Sequence, residues 1–158
     1  MPAAFTASLA ERLHETCGLR VVHAEHRMPI RPGFAYVAPG GKQMRVNRAA
    51  AGYRLDIGTE PSDELYKPCV NVLFESVAKA AGSKAAAVVL TGMGDDGAKG
   101  ARLMHDAGSV VLAQCFESCV VYGMPRAVSE AGVADLSMAP QEIWRWIGHR
   151  IRPSRAAG

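Results

Sequence analysis

The chain has 158 residues, a length that fits one domain and leaves no room for a second domain of full size. Hydrophobic residues make up 49% of it and charged residues 21%, close to globular averages, which excludes a disordered or fibrous protein. The net charge of +3 is too small to indicate nucleic acid as a partner.

Cysteine spacing and hydropathy predict the compartment. The four cysteines include no Cys-x-x-Cys pair, so neither a zinc site nor a disulfide framework is indicated. No apolar run approaches the roughly 20 residues of a membrane span, and the opening residues do not resemble a signal peptide. We therefore expect a cytoplasmic protein that does not span a membrane.

The first third of the chain predicts one helix and then short extended segments. Thr6 is expected to cap a helix that runs to about Thr16 and stops at Gly18. The segments that follow are short, extended and separated by turn residues: 34–38, 43–47 and 53–57. This pattern predicts a β-meander or hairpin.

Helical and extended patterns alternate from residue 68 onward. Helical spacing over 70–81 precedes an apolar run at 85–90, and a helix over about 98–107 precedes a second apolar run at 109–113. The two runs and the helix between them predict a βαβ unit with parallel strands.

The rest of the chain adds three predicted elements. Pro125 fits the first turn of a short helix, residues 133–136 predict a strand, and residues 137–150 predict a final helix. The whole pattern indicates an α/β domain over residues 1–148, followed by an Arg-rich tail at 149–158.

The loop after the first buried strand carries the residues best suited to chemistry. Gly92-Met-Gly-Asp-Asp-Gly97 lies where a strand ends and a helix begins, which is where open α/β sheets place their sites. Its glycines permit tight turns, its amides are suited to an oxyanion nest, and Asp95 and Asp96 supply carboxylates. The simpler interpretation is that a carboxylate only caps the following helix.

Three chemistries could use this loop. Phosphate binding is disfavoured, because two carboxylates repel the anion and no Lys-Ser/Thr pair follows. Asp95 and Asp96 are candidate ligands of a hard cation, although adjacent carboxylates are a weak metal signal. Alternatively, one Asp is the third member of a Ser-His-Asp triad. No Gly-x-Ser-x-Gly turn occurs, and the five histidines lie in ordinary helical or flanking positions, so the pattern identifies no partners for that Asp.

Several stretches resemble one enzyme family. Val89-Leu-Thr-Gly-Met-Gly-Asp-Asp-Gly-Ala-Lys-Gly100 and Glu117-Ser-Cys-Val-Val-Tyr-Gly-Met-Pro-Arg126 are similar to the catalytic domain of the chemotaxis protein-glutamate methylesterases, the CheB type. Ala35-Tyr-Val-Ala-Pro-Gly40, the segment 70–81 and the opening Met1-Pro-x-x-Phe-Thr resemble that family in the same order. The resemblance covers the chain to about Ile147.

The resemblance implies a doubly wound, mostly parallel sheet with a β-hairpin insertion, and a Ser-His-Asp mechanism without a metal or organic cofactor. Members of the family remove methyl groups from glutamates on the cytoplasmic helices of methyl-accepting chemoreceptors, and many deamidate glutamines there. The acid of the triad corresponds to Asp96, in the motif Gly-Met-Gly-x-Asp-Gly. Met93 corresponds to a residue whose backbone amide lies near the oxyanion, and three glycines shape the loop: Gly92, Gly94 and Gly97.

The resemblance also implies a departure from the family. There, the serine and the histidine precede the Met-Pro motif, and this sequence begins at that motif. We therefore expect Asp96 to be the only inherited triad residue, the first strands of the family fold to be missing, and the chain to be inactive alone. A non-catalytic module that binds receptor helices and a metal-dependent hydrolase that uses Asp95 and Asp96 remain as alternatives.

Missing strands would leave an apolar sheet edge without neighbours. We accordingly expect self-association through that edge, poor solubility, or disorder near residues 1–25.

Overall fold

The structure is a computed structural model that describes residues 2–150. Within this range the chain forms five α-helices and seven β-strands, in the order α1 (Ala3–Thr16), β1 (Arg20–His23), β2 (Phe34–Val37), β3 (Gln43–Ala49), β4 (Gly52–Gly58), α2 (Val70–Ala81), β5 (Ala86–Val89), α3 (Ala98–Asp106), β6 (Val110–Gln114), α4 (Met124–Glu130), β7 (Leu136–Met138) and α5 (Pro140–Arg150). This is the predicted α/β architecture. None of the described helices is long and apolar enough to cross a bilayer.

Helix α1 begins before Thr6, so the predicted cap is wrong. The Thr6 hydroxyl donates to the Ala3 carbonyl at 2.8 Å and accepts the Gly40 N–H at 2.9 Å, and His23 Nε2 lies 3.0 Å from it. Because Thr6 is 1% exposed, its side chain joins the helix to the strands instead of closing the first helical turn. Residues 2–25, for which disorder was one of the expectations, include both α1 and β1.

The extended segments form two small sheets. Strands β1 and β2 pair in parallel, with Arg20 opposite Phe34, whereas β3 and β4 form an antiparallel hairpin with Ala49 opposite Gly52. The hairpin prediction is therefore confirmed. The segment 34–38 is not part of it, because its backbone pairs with β1 instead.

The βαβ prediction is also confirmed, since β5 and β6 pair in parallel on either side of α3. Strand β7 adds a third parallel strand, with Leu112 opposite Leu136. The strand predicted at 133–136 starts only at its last residue, because Val133 is buried in the core and Asp135 Oδ2 accepts the Val111 N–H at 2.7 Å.

The C-terminal helices begin close to their predicted positions. Pro125 lies in the first turn of α4, as predicted. Helix α5 starts at Pro140, three residues later than predicted, and runs to Arg150. It thus includes the first two residues of the predicted Arg-rich tail, and the other tail residues, 151–158, lie outside the described residues.

The main core lies between the three-stranded sheet and the helices that cover it. Full burial of a Val or Met side chain stabilises a fold by about 1.5–3 kcal/mol. The buried apolar residues come from β5, α3, β6, α4 and the turn after α4: Ala87, Val89, Ala101, Met104, Val111, Val128 and Val133. This core fixes the ends of β5 and β6, from which the loops 90–97 and 115–123 emerge.

Parallel pairing is interrupted between β2 and β5. Strands β1 and β2 form one sheet, and β5, β6 and β7 form another in that order. Among residues 2–150 no strand pairs with the second edge of β5, and the parallel strands lie in two separate sheets. The N–H and C=O groups of such an edge are available to pair with another strand.

Candidate active site

Two loops meet at the carboxyl ends of the parallel strands. Residues 90–97 follow β5, and residues 115–123 follow β6. The Gly92 N–H donates to the Val121 carbonyl at 3.0 Å, and the Gly123 N–H donates to the Gly92 carbonyl at 3.0 Å. The glycine-rich loop is therefore held against its neighbour by main-chain hydrogen bonds.

A buried glutamine at the end of β6 joins the same two loops. Gln114 is 3% exposed; its Oε1 accepts the Thr91 N–H at 2.8 Å and its Nε2 donates to the Ser118 carbonyl at 2.8 Å. Thr91 Oγ1 in turn donates to the Val121 carbonyl at 3.0 Å and accepts the Val121 N–H at 2.9 Å. Both ends of the Gln114 amide are thus paired, as a buried amide requires.

The Asp96 carboxylate lies at the N-terminus of α2. Its Oδ2 accepts the Val70 N–H at 2.8 Å, and its Oδ1 accepts the Asn71 N–H at 3.0 Å and the Cys69 thiol at 3.2 Å. The first N–H groups of a helix have no partner within the helix, and the positive end of the helix dipole favours a carboxylate. Asp96 therefore caps α2, and the expectation that it caps the following helix is wrong.

Asn71 makes the reverse connection from α2 to α3. Its Oδ1 accepts the N–H groups of Gly97 at 3.0 Å and of Gly100 at 2.8 Å. Gly97 is the N-cap of α3 and has no side chain with which to close the first turn. Each of the two helices is thus capped by a side chain from the other segment.

The Cys69 thiol is part of this arrangement. Burial is the largest cause that raises the pKa of Cys69 to about 11; the hydrogen bond to Asp96 and the charge of Asp96 also raise it, while backbone N–H groups lower it. Glu64 Oε2 lies 3.7 Å from the sulfur. The thiol is consequently protonated at neutral pH and acts as a donor to Asp96.

The predicted oxyanion residue lies at the tip of the loop. Met93 is 83% exposed, and its backbone N–H donates to no acceptor within residues 2–150. An N–H group without a protein acceptor is what an oxyanion site needs. Gly94 and Gly97 have φ angles of +87° and +101°, which residues with side chains rarely adopt. A Cβ atom at Gly92 would lie 2.4 Å from Met124 Sδ.

No histidine within residues 2–150 forms a hydrogen bond or ion pair with Asp96. The histidines that form such contacts do so elsewhere: His14 with Val21, His23 with Thr6, His26 with Asp56, and His105 with Asp106 and Asp135. No serine or threonine hydroxyl in the described part of the chain is within hydrogen-bond distance of Asp96 either. Within the described residues, the carboxylate predicted to be the triad acid is therefore joined to neither a base nor a nucleophile.

The two adjacent aspartates have different surroundings. Asp96 is 9% exposed and bonded to three donors, whereas Asp95 is exposed. Between residues 2 and 150 no three His, Cys, Asp or Glu side chains are grouped so that they could hold a metal ion. The two aspartates therefore differ in burial and in hydrogen-bond partners.

Sequence reasoning missed the contribution of α2 to this site. Cys69, Val70 and Asn71 lie 25 to 27 residues before Asp96, and the local pattern marks them only as the start of a helix. A polar Asn in the first turn of a mostly apolar helix was the available signal. Gln114 was missed in the same way, as a polar residue that ends a buried apolar strand.

Comparison with known families gives a match over almost the whole chain. A family model described as CheB methylesterase matches residues 1–147. The chain belongs to the CheB methylesterase family. This confirms the family inferred from the sequence motifs.

Individual CheB relatives have closely similar sequences. The chain is 49% identical over 135 residues to the protein-glutamate methylesterase/protein-glutamine glutaminase of Lawsonia intracellularis, covering 85% of this chain and 38% of that protein. It is 50% identical over 143 residues to protein-glutamate methylesterase/protein-glutamine glutaminase 1 of Vibrio cholerae, covering 90% of this chain and 38% of that protein. The chain thus spans about two fifths of the length of these relatives, whose names denote hydrolases.

A solved CheB structure has the same fold. The CheB methylesterase catalytic domain of Thermotoga maritima superposes with a TM-score of 0.91 at 36% sequence identity, over 96% of this chain and 80% of that one. This similarity confirms the predicted α/β fold class.

Proposed function

We propose that these residues form part of the catalytic domain of a cytoplasmic protein-glutamate methylesterase that acts on methyl-accepting chemoreceptors in chemotaxis. Family membership and the names of the relatives support hydrolysis of glutamate methyl esters, with deamidation of glutamine as a second reaction. The observation that carries the proposal is the Asp96 carboxylate, which three donors fix at the carboxyl end of the sheet, in the same loop as Met93.

Asp96 has the role of the triad acid in this proposal. An ionised carboxylate offers about four acceptor positions, and three donors from α2 and its cap occupy three of them. One position is left to accept the Nδ1–H of a catalytic histidine. From there Asp96 orients the imidazole and stabilises the imidazolium that forms during the reaction.

The reaction follows from these roles. The histidine takes the serine proton while the serine oxygen attacks the ester carbonyl, and the Met93 N–H donates to the oxyanion. The histidine then returns the proton to the departing methoxide, which leaves as methanol. Water hydrolyses the glutamyl-enzyme by the same route and releases the glutamate carboxylate and the free serine. Neither a metal nor an organic cofactor takes part in these steps.

We further propose that the 158 residues alone do not catalyse this reaction. Among residues 2–150, Asp96 contacts neither a histidine nor a hydroxyl group. When triad members are removed from such enzymes, only about 10³- to 10⁴-fold acceleration over water survives, supplied by binding and by the oxyanion donors.

Methanol release from methylated receptor tests the proposal. The chain is compared with a chimera in which two strands precede Met1, one ending in a Gly-x-Ser-x-Gly turn and the other ending in histidine. Only the chimera is expected to release methanol, and Asp96→Asn in the chimera is expected to reduce the rate about 10⁴-fold. The matched control is Asp95→Asn, which removes the neighbouring exposed carboxylate and leaves the rate within a few-fold. Equal rates for Asp96→Asn and its parent would remove Asp96 from the mechanism.

The same assay separates the alternatives. A non-catalytic receptor-binding module predicts a chimera that binds receptor fragments and releases no methanol. A metal-dependent hydrolase predicts activity that a chelator removes and a divalent ion restores. The triad mechanism predicts that neither treatment changes the rate.

We also propose that the unpaired edge of β5 makes the chain self-associate. The edge carries main-chain donors and acceptors without partners among residues 2–150, and Leu90 is exposed at its end. Sedimentation velocity should show a mass that rises with the concentration of the chain, and a chimera with added strands should remain monomeric. A chain that stays monomeric at all concentrations would contradict this proposal.

A further inference from the structure

The first turn of α2 contacts the segment that contains Asp96 and the start of α3. Asn71 takes part in both halves of this contact: its N–H donates to Asp96 Oδ1 at 3.0 Å, and its Oδ1 accepts the N–H groups of Gly97 and Gly100. We propose that Asn71 is a positioning residue, which clamps the loop that carries Asp96 onto the N-terminus of α2 and so sets the direction of the triad carboxylate. The catalytic consequence rests on the proposed function, whereas the clamp itself does not.

The local geometry explains why the clamp comes from another helix. A capping side chain would normally stand at the N-cap of α3, but Gly97 occupies that position with φ +101°. A Cβ atom there would also lie 3.1 Å from Val70 Cγ1. A side chain at this position is therefore disfavoured by backbone conformation and by space, and the acceptor has to reach in from α2.

Helices α2 and α3 are also packed too closely for a shift of one helix to supply a new acceptor when the Asn71 side chain is removed. A Cβ atom on Gly100 would lie 2.6 Å from Phe74 Cβ and 3.0 Å from Asn71 Cα, so α2 and α3 are in direct contact at this point. Without the Asn71 side chain, the N–H groups of Gly97 and Gly100 lose their acceptor, and no sliding of the helices replaces it. Because these N–H groups closely follow Asp96 in the chain, we expect the loop that carries Asp96 to move.

The thiol of Cys69 reports where the carboxylate lies. The thiol donates to Asp96 Oδ1 at 3.2 Å, and the other carboxylate near the sulfur is Glu64, at 3.7 Å. Burial and the contact with Asp96 both raise the pKa of Cys69, to about 11. A loop that moves away exposes the sulfur and removes the hydrogen bond and the nearby charge, so every change lowers this pKa. Because the thiolate is the reactive form, alkylation of Cys69 becomes faster.

Alkylation of the full chain by iodoacetamide therefore tests the clamp without any catalytic assay. The rate is followed for each cysteine peptide by mass spectrometry between pH 7 and 10, with the exposed Cys17 as internal reference. Asn71→Ala is expected to speed alkylation of Cys69 about three- to fourfold for each unit by which its pKa falls, because the larger thiolate fraction is partly offset by the lower nucleophilicity of that thiolate. Asn71→Asp keeps an oxygen that accepts both N–H groups and adds negative charge, so Cys69 should react no faster than in the parent.

A matched variant separates positioning from a general loss of stability. Val77→Ala removes apolar packing from the same helix, far along it from the capped end, and is expected to lower the melting temperature without changing the pH dependence of Cys69 alkylation. The proposal is overturned if Asn71→Ala leaves the Cys69 rate at the parent value. It is overturned equally if Val77→Ala, at the same loss of melting temperature, gives the same acceleration.

An activity measurement connects the clamp to catalysis. In the chimera that carries the serine and histidine strands, Asn71→Ala should lower kcat with little change in KM, and Asn71→Asp should restore most of the loss. Unchanged kcat in Asn71→Ala would overturn the catalytic consequence. A chimera that is inactive with Asn71 in place would instead contradict the proposed function, and the alkylation result would still decide whether the clamp exists.

Discussion

Gly123 and Gly92 lie in direct backbone contact at the carboxyl end of the sheet. The Gly123 N–H donates to the Gly92 carbonyl at 3.0 Å. A Cβ atom on Gly123 would lie 2.7 Å from that oxygen and 2.9 Å from the Gly94 nitrogen. Gly123 has φ −91°, an ordinary value, so the absence of a side chain is required by space and not by backbone conformation.

Gly123→Ala should therefore destabilise the domain and displace the loop that carries Met93. The atoms in the way are main-chain atoms of the neighbouring loop, which cannot turn aside as a side chain does. Overpacking of this kind costs about 1–3 kcal/mol. Urea unfolding measures the loss, and amide NMR shifts of Met93 and Gly94 report the displacement.

Gly148→Ala is the matched control for that substitution. Gly148 lies in α5, and a Cβ atom added to it would have no neighbouring atom within 4 Å. Alanine there should raise the free energy of unfolding by about 0.5–1 kcal/mol through helix propensity. Similar effects of the two substitutions would show that the contact between Gly123 and Gly92 leaves space for a side chain at position 123.

Asp96→Asn should weaken the fold as well as the proposed activity. The amide keeps one oxygen for the N-terminus of α2, but its NH₂ group then faces the N–H of either Val70 or Asn71, and the negative charge near the helix dipole is lost. A buried donor without a partner costs about 1–3 kcal/mol. Urea unfolding of the variant measures this loss. Asp95→Asn, at an exposed carboxylate, should change stability by less than about 0.5 kcal/mol, and an equal loss in both would argue against the cap on α2.

Gln114→Met should loosen both loops at the end of β6. The substitution conserves length but leaves the Thr91 N–H and the Ser118 carbonyl without their buried partner. Each unpaired group costs about 1–3 kcal/mol unless water reaches it. Hydrogen exchange at the Thr91 amide should become faster, and the unfolding midpoint in urea should fall. Gln141→Met, at an exposed position of α5, is the control and should leave both measurements unchanged.

Local sequence patterns were sufficient to predict those elements that are determined by interactions within one segment of the chain. The apolar spacing over 70–81 predicted both ends of α2 correctly. The two apolar runs around the Asp96 loop predicted β5 and β6, and they placed the loop at the carboxyl end of the strands. The spacing of apolar residues and the glycines that end an element are local features of the chain, so they can be read from a single sequence.

Contacts between distant segments were not predictable in this way. Thr6 has the residue type of a helix cap, yet its hydroxyl bonds to Gly40, 34 residues later. Asp96 and Asn71 exchange caps across 25 residues of chain, and nothing in either local pattern specifies that exchange. The position of the candidate acid was therefore predictable, whereas the groups that orient it were not.

The titration of Cys69 predicts how stability changes in alkaline solution. The pKa of the thiol is about 11 in the folded chain against an ordinary value of 9.0, with burial as the largest cause and the contact with Asp96 adding to it. Below pH 9 the thiol is protonated in both states, and its contribution to stability is complete. Between these two values the unfolded chain holds fewer protons than the folded chain, so the free energy of unfolding falls as pH rises.

Cys69→Ser isolates this effect, because the serine hydroxyl does not titrate in the range and can still donate to Asp96. The free energy of unfolding is measured in urea for both proteins at intervals between pH 8 and 10.5, where titration of the other groups cancels in the difference. The stability of the parent relative to Cys69→Ser should be constant near pH 8 and should fall steadily above pH 9. A difference that stays flat or rises would mean that the thiol is not held in its protonated form by burial and by Asp96.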